Sequence, residues 1–231
     1  PFVRDRRANA TADQWRSRAD MMAKSDAYSI AYDDYTKALK LAPTDERALQ
    51  AFTRTAVLTN RAQDALSWVK ALTMEKTSVA VDVAISKLLA AAQLHGDARD
   101  TAKKACDVRP VVPAACEQLA SLYADLEDAA DLEAVVGTLR DAAPDAAPTH
   151  YYAAALAFLK GDAAGALQDA QRAIATDAKY SAAYDMAGAA HTKLGQADLA
   201  AQAFQTSLRF DAHDSTAYTN LGLLAHAAGR E

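Results

Sequence analysis

The sequence contains few residues that would break or cross-link a helix. Its 231 residues include only eight glycines, six prolines and two cysteines. It has no Gly-rich loop of the kind that holds a phosphate, and its five histidines are scattered, with none at i, i+4 from another or beside a cysteine cluster. These absences argue against nucleotide-dependent and metal-dependent catalysis. We therefore predict a protein that is not an enzyme and that uses no cofactor or metal.

Positive charge and long apolar runs are also scarce. The chain has 25 Lys and Arg against 30 Asp and Glu, a net charge of −5, whereas nucleic-acid binding needs a concentrated basic surface. No apolar run approaches the ~18 residues of a membrane span, and no signal peptide is visible. We predict no nucleic-acid partner and no membrane insertion within this chain. Because it begins at Pro1 rather than Met, we expect a piece of a longer protein.

A 34-residue period is the dominant pattern that is present. Equivalent residues 34 positions apart in the last copies are Tyr184 and Tyr218, Gly188 and Gly222, and Gly195 and Gly229. In the copy that begins at Ser181, apolar and small residues recur at i, i+3, i+4 and i+7, which is typical of one helix face. Two such helices fit into each period. A constant period of this length indicates a stack of helical repeats in which each unit packs against its neighbours.

The copies resemble tetratricopeptide repeats (TPRs) at the preferred positions of that family. Position 20, usually small, is occupied by Ala31, Ala65, Ala98, Leu132, Ala166 and Ala200. The helix-ending proline of position 32 is present as Pro43, Pro110 and Pro144, and the aromatic residue of position 4 as Trp15, Tyr184 and Tyr218. The resemblance implies an all-α, right-handed α-α superhelix (a TPR solenoid) of six helix-turn-helix repeats plus one extra helix.

The period also predicts where the repeats begin and end. We expect a lead-in segment over residues 1–11 and a single solenoid with one continuous core over 12–231. The repeats are predicted at 12–45, 46–79, 80–112, 113–146, 147–180 and 181–214, followed by a half repeat or cap at 215–231. The third copy is one residue short. Its first helix fits only with an inner stripe of Val81, Ile85, Leu88, Leu89 and Ala92. This stripe places Gly96 at the turn and predicts a shorter turn. This step indicates either a change in superhelical pitch or a length change tolerated in a loop.

Cys106 and Cys116 are ten residues apart and flank the connection between the third and fourth repeats. The adjoining helices could bring the two side chains together as a disulfide. A pair of small, buried, reduced thiols fits the pattern as well.

In TPR proteins, positions 2, 5, 6, 9, 12 and 13 of the repeats face a bound partner, so the resemblance implies a set of groove residues. A basic half would contain Arg16, Lys24, Arg47, Gln50 and Arg54, with Asp13 and Asp20 among them. An aromatic half would contain Tyr151, Tyr152, Ala155, Phe158 and Leu159, continuing to Asn220 and Leu223. Alternatively, Tyr152 and Phe158 pack between neighbouring first helices. The clamp by which chaperone-binding TPR domains hold a carboxylate is not matched, because Asp20 occupies one of its positions.

Three functions remain open from the sequence. The leading interpretation is a non-catalytic scaffold that binds a protein or peptide partner in its concave groove. The chain could instead be the docking or regulatory arm of a larger bacterial enzyme or envelope-assembly protein. A third interpretation is a homo-oligomer that assembles through residues 215–231. The Ala-rich and Asp-rich composition favours a soluble bacterial protein of the cytoplasm or periplasm, and the sequence does not decide between these compartments.

Overall fold

The computed structural model of the protein describes residues 10–73, 78–227 and 229. Over these ranges the chain forms thirteen α-helices and no strand, so the predicted all-α repeat fold is confirmed. The helices are α1 (Ala12–Lys24), α2 (Tyr28–Leu41), α3 (Glu46–Leu58), α4 (Ala62–Leu72), α5 (Val79–Ala91), α6 (His95–Cys106), α7 (Pro113–Asp125), α8 (Ala129–Ala142), α9 (Ala147–Leu159), α10 (Ala163–Thr176), α11 (Ser181–Lys193), α12 (Ala197–Phe210) and α13 (Ser215–Ala227). Most of the predicted lead-in and the last residues of the predicted half repeat lie outside the described ranges.

The chain divides into two compact units, Pro1–Leu122 and Tyr123–Glu231. In unit 1, α1 packs on α2 and α5 packs on α6, while the first helices α1, α3 and α5 also contact one another in that order. In unit 2, α9 packs on α10 and α11 packs on α12, while α9, α11 and α13 contact one another in order. Each unit therefore has a layer of first helices, the odd-numbered ones, packed on a layer of second helices. None of the helices within the described residues is both long and apolar enough to cross a membrane.

Among the described residues, each turn that follows a first helix contains one residue with positive φ, including the one after α13, the last helix. These residues are Asp26, Asn60, Gln93, Glu127, Gly161, Gly195 and Gly229, with φ between 54° and 81°. The left-handed residue lets the next amide reach back over the helix end, as in the bond from the Arg61 N–H to the Ala56 carbonyl at 2.8 Å. Only three of the seven are glycines. The turn conformation therefore repeats more faithfully than the residue type that adopts it.

The helix starts locate the one-residue step in the period. First helices begin at residues 12, 46, 79, 113, 147, 181 and 215, so the 33-residue interval lies between the starts of α3 and α5. Gln93, and not Gly96, is the left-handed residue of the third turn. Gly96 lies in the first turn of α6, so the expectation that it occupies the turn was wrong. The α5–α6 turn has the same length as the others, and the missing residue falls before α5.

The helix pairs are held together by small residues at the crossing points. The six residues of repeat position 20 are all fully buried, each at 0% exposure: Ala31, Ala65, Ala98, Leu132, Ala166 and Ala200. Alanine suits this position because it favours the helix and lets two backbones approach closely. In unit 1 the core is completed by larger side chains such as Phe52 and Leu88, whereas in unit 2 Phe204 fills an equivalent space beside Gly188.

A disulfide joins Cys106, the last residue of α6, to Cys116 in α7, with the two Cα atoms 4.7 Å apart. Both residues are buried in unit 1. The bond closes the loop that contains Arg109 and Pro110, whose peptide bond is cis. It links the end of one repeat directly to the first helix of the next.

Candidate functional site

The first helices of unit 1 line two pockets, one on each side of α3. The first, the apolar pocket, has a volume of about 370 Å³ and lies among α3, α5 and the start of α7. It is lined by Thr44, Glu46, Gln50, Thr53, Ser78, Val79, Ala80, Val83, Ala84, Lys87, Val112 and Ala114. Its volume is within the ~300–1,000 Å³ of ligand pockets. Counted from the observed start of α5, Ala80, Val83, Ala84 and Lys87 take repeat positions 2, 5, 6 and 9, which are groove positions of the family.

Lys87 is the single cation among the described residues that line the apolar pocket. Its side chain is half-buried on α5, and burial lowers the pKa of its ammonium group, although Glu117 on α7 partly offsets this effect. Burial likewise raises the pKa of the Glu117 carboxyl, and Lys87 opposes that shift. No carboxylate of the described residues forms an ion pair with Lys87. The charge of Lys87 is therefore only partly compensated by the protein.

A buried polar contact behind the apolar pocket holds its walls together. The Ser86 hydroxyl donates to the Ala98 carbonyl at 2.8 Å, and the Gln118 side-chain amide lies 3.3 Å from the same hydroxyl. These three residues belong to α5, α6 and α7 and are all buried. Because Ser86 precedes Lys87 in the chain, the contact fixes the segment of α5 from which Lys87 reaches the pocket.

The second pocket of unit 1, the basic pocket, has a volume of about 280 Å³ and lies among α1, α2 and α3. It is lined by Ala23, Lys24, Tyr28, Tyr35, Ala51, Arg54, Thr55 and Leu58. The structure thus brings together Lys24 and Arg54, two predicted groove residues from different repeats. The Tyr35 hydroxyl donates to Asp20 at 2.6 Å, so that carboxylate is engaged within the helix pair.

The other residues of the predicted basic half differ in their surroundings. Arg16 is paired with Asp13 at 2.7 Å and with Asp45 at 2.6 Å, and its side chain is only 21% exposed. Asp45 is the N-cap of α3, so Arg16 ties α1 to the start of that helix. Gln50 lines the apolar pocket, whereas Arg47 is exposed and lines neither pocket. Arg16 therefore has a structural contact that sequence reasoning did not predict.

The predicted aromatic half lies in unit 2 and is largely internal. Tyr152 and Ala155 are buried, at 8% and 4% exposure, so little of either side chain is accessible to a partner. Tyr151 is half-buried and packs edge-on against Tyr152 and Tyr180, with ring centroids 5.0 and 5.6 Å apart. Burial, followed by the carboxylates nearby, raises the pKa of Tyr151 to about 12. These rings fill space between neighbouring helices, which is the alternative that the sequence left open for Tyr152.

The remaining predicted residues of unit 2 are more accessible. Phe158 and Leu159 are half-buried at the end of α9, and the Lys193 ammonium lies 5.9 Å from the Phe158 ring centroid. On α13, Asn220 is half-buried and Leu223 is 62% exposed.

Unit 2 also contains a carboxyl pair that the sequence did not reveal. The Ser207 hydroxyl lies 2.9 Å from Asp185 Oδ2 and 3.4 Å from Asp214 Oδ2. Burial and a hydrogen bond with Asp214 raise the pKa of Asp185 to about 8, whereas hydrogen bonds keep the pKa of Asp214 below its usual value. Asp214 also accepts from the amides of Thr216 and Ala217 at the start of α13. The only sequence signal was the polar Ser207 on an otherwise apolar inner stripe.

The arrangement of the described side chains offers binding surfaces more clearly than reactive groups. Among the described residues, no group of three or more His, Cys, Asp or Glu side chains is placed to hold a metal ion. The two pockets of unit 1 combine an aliphatic wall with cations, which suits the recognition of a ligand by packing and charge.

The sequence matches no protein-family model and no curated protein. Solved structures match the fold. A tetratricopeptide repeat protein from Parabacteroides merdae superposes with a TM-score of 0.65 at 11% identity, over 94% of this chain and 87% of the other. A thermophilic TPR protein from Thermus thermophilus gives a TM-score of 0.52 at 17% identity, over 94% of this chain and 100% of the other.

A chain of the APC/C hetero-tetramer Cut9–Hcn1 matches with a TM-score of 0.64 at 11% identity over 93% of this chain. This chain covers 42% of that longer one. At such low identities the likeness establishes the fold alone. The chain therefore has the TPR fold, in agreement with the resemblance of its repeat positions.

Proposed function

We propose that this chain is a protein-interaction scaffold whose unit 1 binds an extended segment of a partner along its first helices. The observation that carries the proposal is the pair of pockets that flank α3 on that layer. Their walls come from four first helices and from α2, so several repeats contribute to one surface. In this role the chain acts by binding and needs no catalytic residue, cofactor or metal. A TPR fold by itself does not specify the ligand, which depends on the side chains of the site.

A library of displayed random peptides, selected on the intact chain, tests this proposal. Ala80→Phe places a ring in the apolar pocket from the second residue of α5, where Ala80 is half-buried. Selected peptides should lose at least about tenfold in affinity for this variant. Ala130→Phe is the matched control, since Ala130 is exposed at the second residue of α8. Peptides that bind both variants equally would place the binding surface elsewhere.

A second role, self-association through the last helix, is favoured by the exposure of α13. Tyr218 and Leu223 are 57% and 62% exposed, whereas the equivalent of Tyr218 in the preceding repeat, Tyr184, is half-buried and packs 5.6 Å from Phe210. Light scattering over a range of concentrations tests this role. A concentration-dependent increase in mass that Leu223→Asp removes would support it, and a monomer throughout would refute it.

The same surface could serve the docking arm of a larger bacterial enzyme or envelope-assembly protein. A docking arm would bind through unit 1 in the same way as a free-standing scaffold. The two differ only in whether a further domain is covalently attached to the chain. The complete open reading frame distinguishes the two.

A further inference from the structure

We propose that the segment bound by unit 1 is acidic and carries an aliphatic side chain, which fills the apolar pocket while a neighbouring carboxylate pairs with Lys87. This inference rests on the proposed function and adds the chemistry of the partner. This mode of binding differs from that of chaperone-binding TPR domains, in which a clamp of side chains holds the terminal carboxylate of a peptide. Two of the clamp positions in the third repeat, 2 and 6, are occupied by Ala80 and Ala84, counted from the observed start of α5.

The wall of the apolar pocket specifies the aliphatic part of the ligand. Val79 and Val83 of α5 face the pocket together with Val112 at the approach to α7, and none of the described side chains that line it is aromatic. An aliphatic side chain is the complement of such a wall, because it removes apolar surface from water on both sides. Polar side chains line the rest of the pocket (Thr44, Glu46, Gln50, Thr53, Ser78 and Lys87), so the aliphatic preference applies to the part of the wall that the three valines form.

Lys87 specifies the charge of the group beside that side chain. It lines the pocket, is half-buried, and is opposed by Glu117 from α7 without an ion pair. A ligand carboxylate placed at its ammonium group would form the charge-assisted hydrogen bond that the protein itself does not supply. A cationic ligand would meet Lys87 at a site where little water remains to screen the repulsion.

The charges around α3 extend this preference beyond one residue. The described residues that line the two pockets include three cations, Lys24, Arg54 and Lys87, and one carboxylate, Glu46, while two further carboxylates lie beside the lining, Asp20 on Tyr35 and Glu117 opposite Lys87. This excess along the lining is opposite in sign to the net charge of −5 for the whole chain. An acidic segment therefore meets more cations than carboxylates along the lining of these two pockets.

The spacing of the pockets favours a peptide over a small molecule. Gln50 lines the apolar pocket and Arg54 lines the basic pocket, one turn further along α3. One helical turn is about 5.4 Å, and an extended chain advances about 3.3 Å per residue. Two residues of an extended partner thus cover the step from Gln50 to Arg54 along α3, and more are needed to enter the pockets on both sides of that helix. A ligand that fills both is an extended acidic segment, not a single carboxylate.

Selection and charge reversal test this inference. Displayed random peptides are selected on the intact chain, and one enriched peptide is then synthesised in three versions. The acidic version keeps its Asp and Glu residues, the amide version replaces them with Asn and Gln, and the lysine version replaces them with Lys. We expect enrichment of acidic peptides with an aliphatic residue. Lys87→Glu should weaken the acidic peptide at least about tenfold and strengthen the lysine version, because the charge preference is reversed. Lys70→Glu is the matched control, an exposed lysine on α4 that lines neither pocket, and should change affinity less than about twofold.

Lys87→Gln is the second variant, since Lys87→Glu adds a carboxylate opposite Glu117 and could weaken the fold. It should lower the affinity of the acidic peptide without favouring the lysine version, with an unchanged circular dichroism spectrum. If the selected peptides are neutral or basic and lose affinity for the Ala80→Phe variant, the acidic preference is overturned while the proposed function stands. Peptides indifferent to Ala80→Phe would overturn the proposed function itself. A single-stranded oligonucleotide that binds as tightly as the peptide, with the same dependence on Lys87, would also overturn the inference.

Discussion

The ring of Phe204 packs so closely over Gly188 that a methyl group added at Gly188 would lie 2.7 Å from two of its ring carbons. Phe204 is fully buried and belongs to α12, whereas Gly188 belongs to α11. The two helices of this repeat therefore pack closely because Gly188 has no side chain and the ring of Phe204 fills the space above it. The contact stabilises unit 2 only while position 188 remains a glycine.

Gly188→Ala should destabilise unit 2 by about 1–3 kcal/mol, because the buried ring has no space to withdraw. An alanine would otherwise favour the helix by about 1 kcal/mol. Gly222→Ala is the matched control at the same position of the next repeat, where an added methyl group meets nothing within 4 Å. That variant should be neutral or up to about 1 kcal/mol more stable. Thermal unfolding checks both, and a gain in stability for Gly188→Ala would contradict the packing described for this pair.

The carboxyl pair in unit 2 predicts a stability that falls as the pH rises. The pKa of Asp185 is raised from 3.8 to about 8 in the folded protein, so folding takes up a proton between these values. The contribution of this protonation to the free energy of unfolding is fully present below the pKa of Asp185 in the unfolded chain. It is lost as the pH rises through the pKa of Asp185 in the folded protein. Asp185→Asn keeps the shape and can still donate to Asp214. We expect the variant to lack this decline and to be on the order of 1 kcal/mol more stable than the wild type at about pH 9.

Urea unfolding across the pH range measures this difference. Asp198→Asn, a change at an exposed carboxylate on α12, is the control and should leave the pH profile of the wild type unaltered. If the free energy of unfolding depends on pH in the same way for the wild type and for Asp185→Asn, then Asp185 does not bind the proton taken up on folding.

The cysteine pair predicts that no thiol is free in the oxidised protein. Thiol titration after unfolding should detect none without reductant and two with it. Replacing both Cys106 and Cys116 with alanine should lower the free energy of unfolding by about 2–3 kcal/mol, since the bond restricts the unfolded chain. The reductant should then have no further effect on the double variant. Two reactive thiols in the absence of reductant would instead support the reduced, buried pair.

Arg16 should matter more for stability than for binding. Its ion pair with Asp45 joins two side chains that are 21% and 20% exposed, and Asp45 caps α3 through the Ala48 amide. Arg16→Ala should therefore cost about 0.5–1 kcal/mol. Arg47→Ala, at an exposed position of α3, should change stability by less than that. Affinity for a selected peptide should survive Arg16→Ala, and a large loss of affinity would return Arg16 to the binding surface.

Tyr151→Ala should lower the melting temperature. The ring contacts Tyr152 and Tyr180 inside unit 2, and its removal leaves a cavity worth about 2 kcal/mol for a half-buried ring. Tyr218→Ala is the control, because Tyr218 is 57% exposed on α13. An unchanged melting temperature for Tyr151→Ala would favour the original interpretation of Tyr151 as a surface residue.

The 34-residue pattern was sufficient to predict the helices and much of their packing. Position 20 is small in five of six repeats, and all six side chains there are fully buried. Such positions are readable because a helix presents the same face every turn and each repeat packs against a similar neighbour. The pattern also placed Lys24, Gln50 and Arg54 on the first-helix layer, where the structure finds them beside the two pockets.

Other features depended on contacts between residues distant in sequence. Asp26, Asn60, Gln93 and Glu127 adopt the left-handed turn that only a glycine would have signalled. Tyr152 differs from a surface tyrosine only through the helices around it, and the carboxyl pair of Asp185 and Asp214 joins residues 29 positions apart (214 − 185). The sequence by itself determined an all-α repeat fold and the division of each repeat into a first and a second helix, since helix periodicity is local. Burial, charge compensation and the pockets were decided by tertiary structure, because each depends on which side chains neighbouring helices bring together.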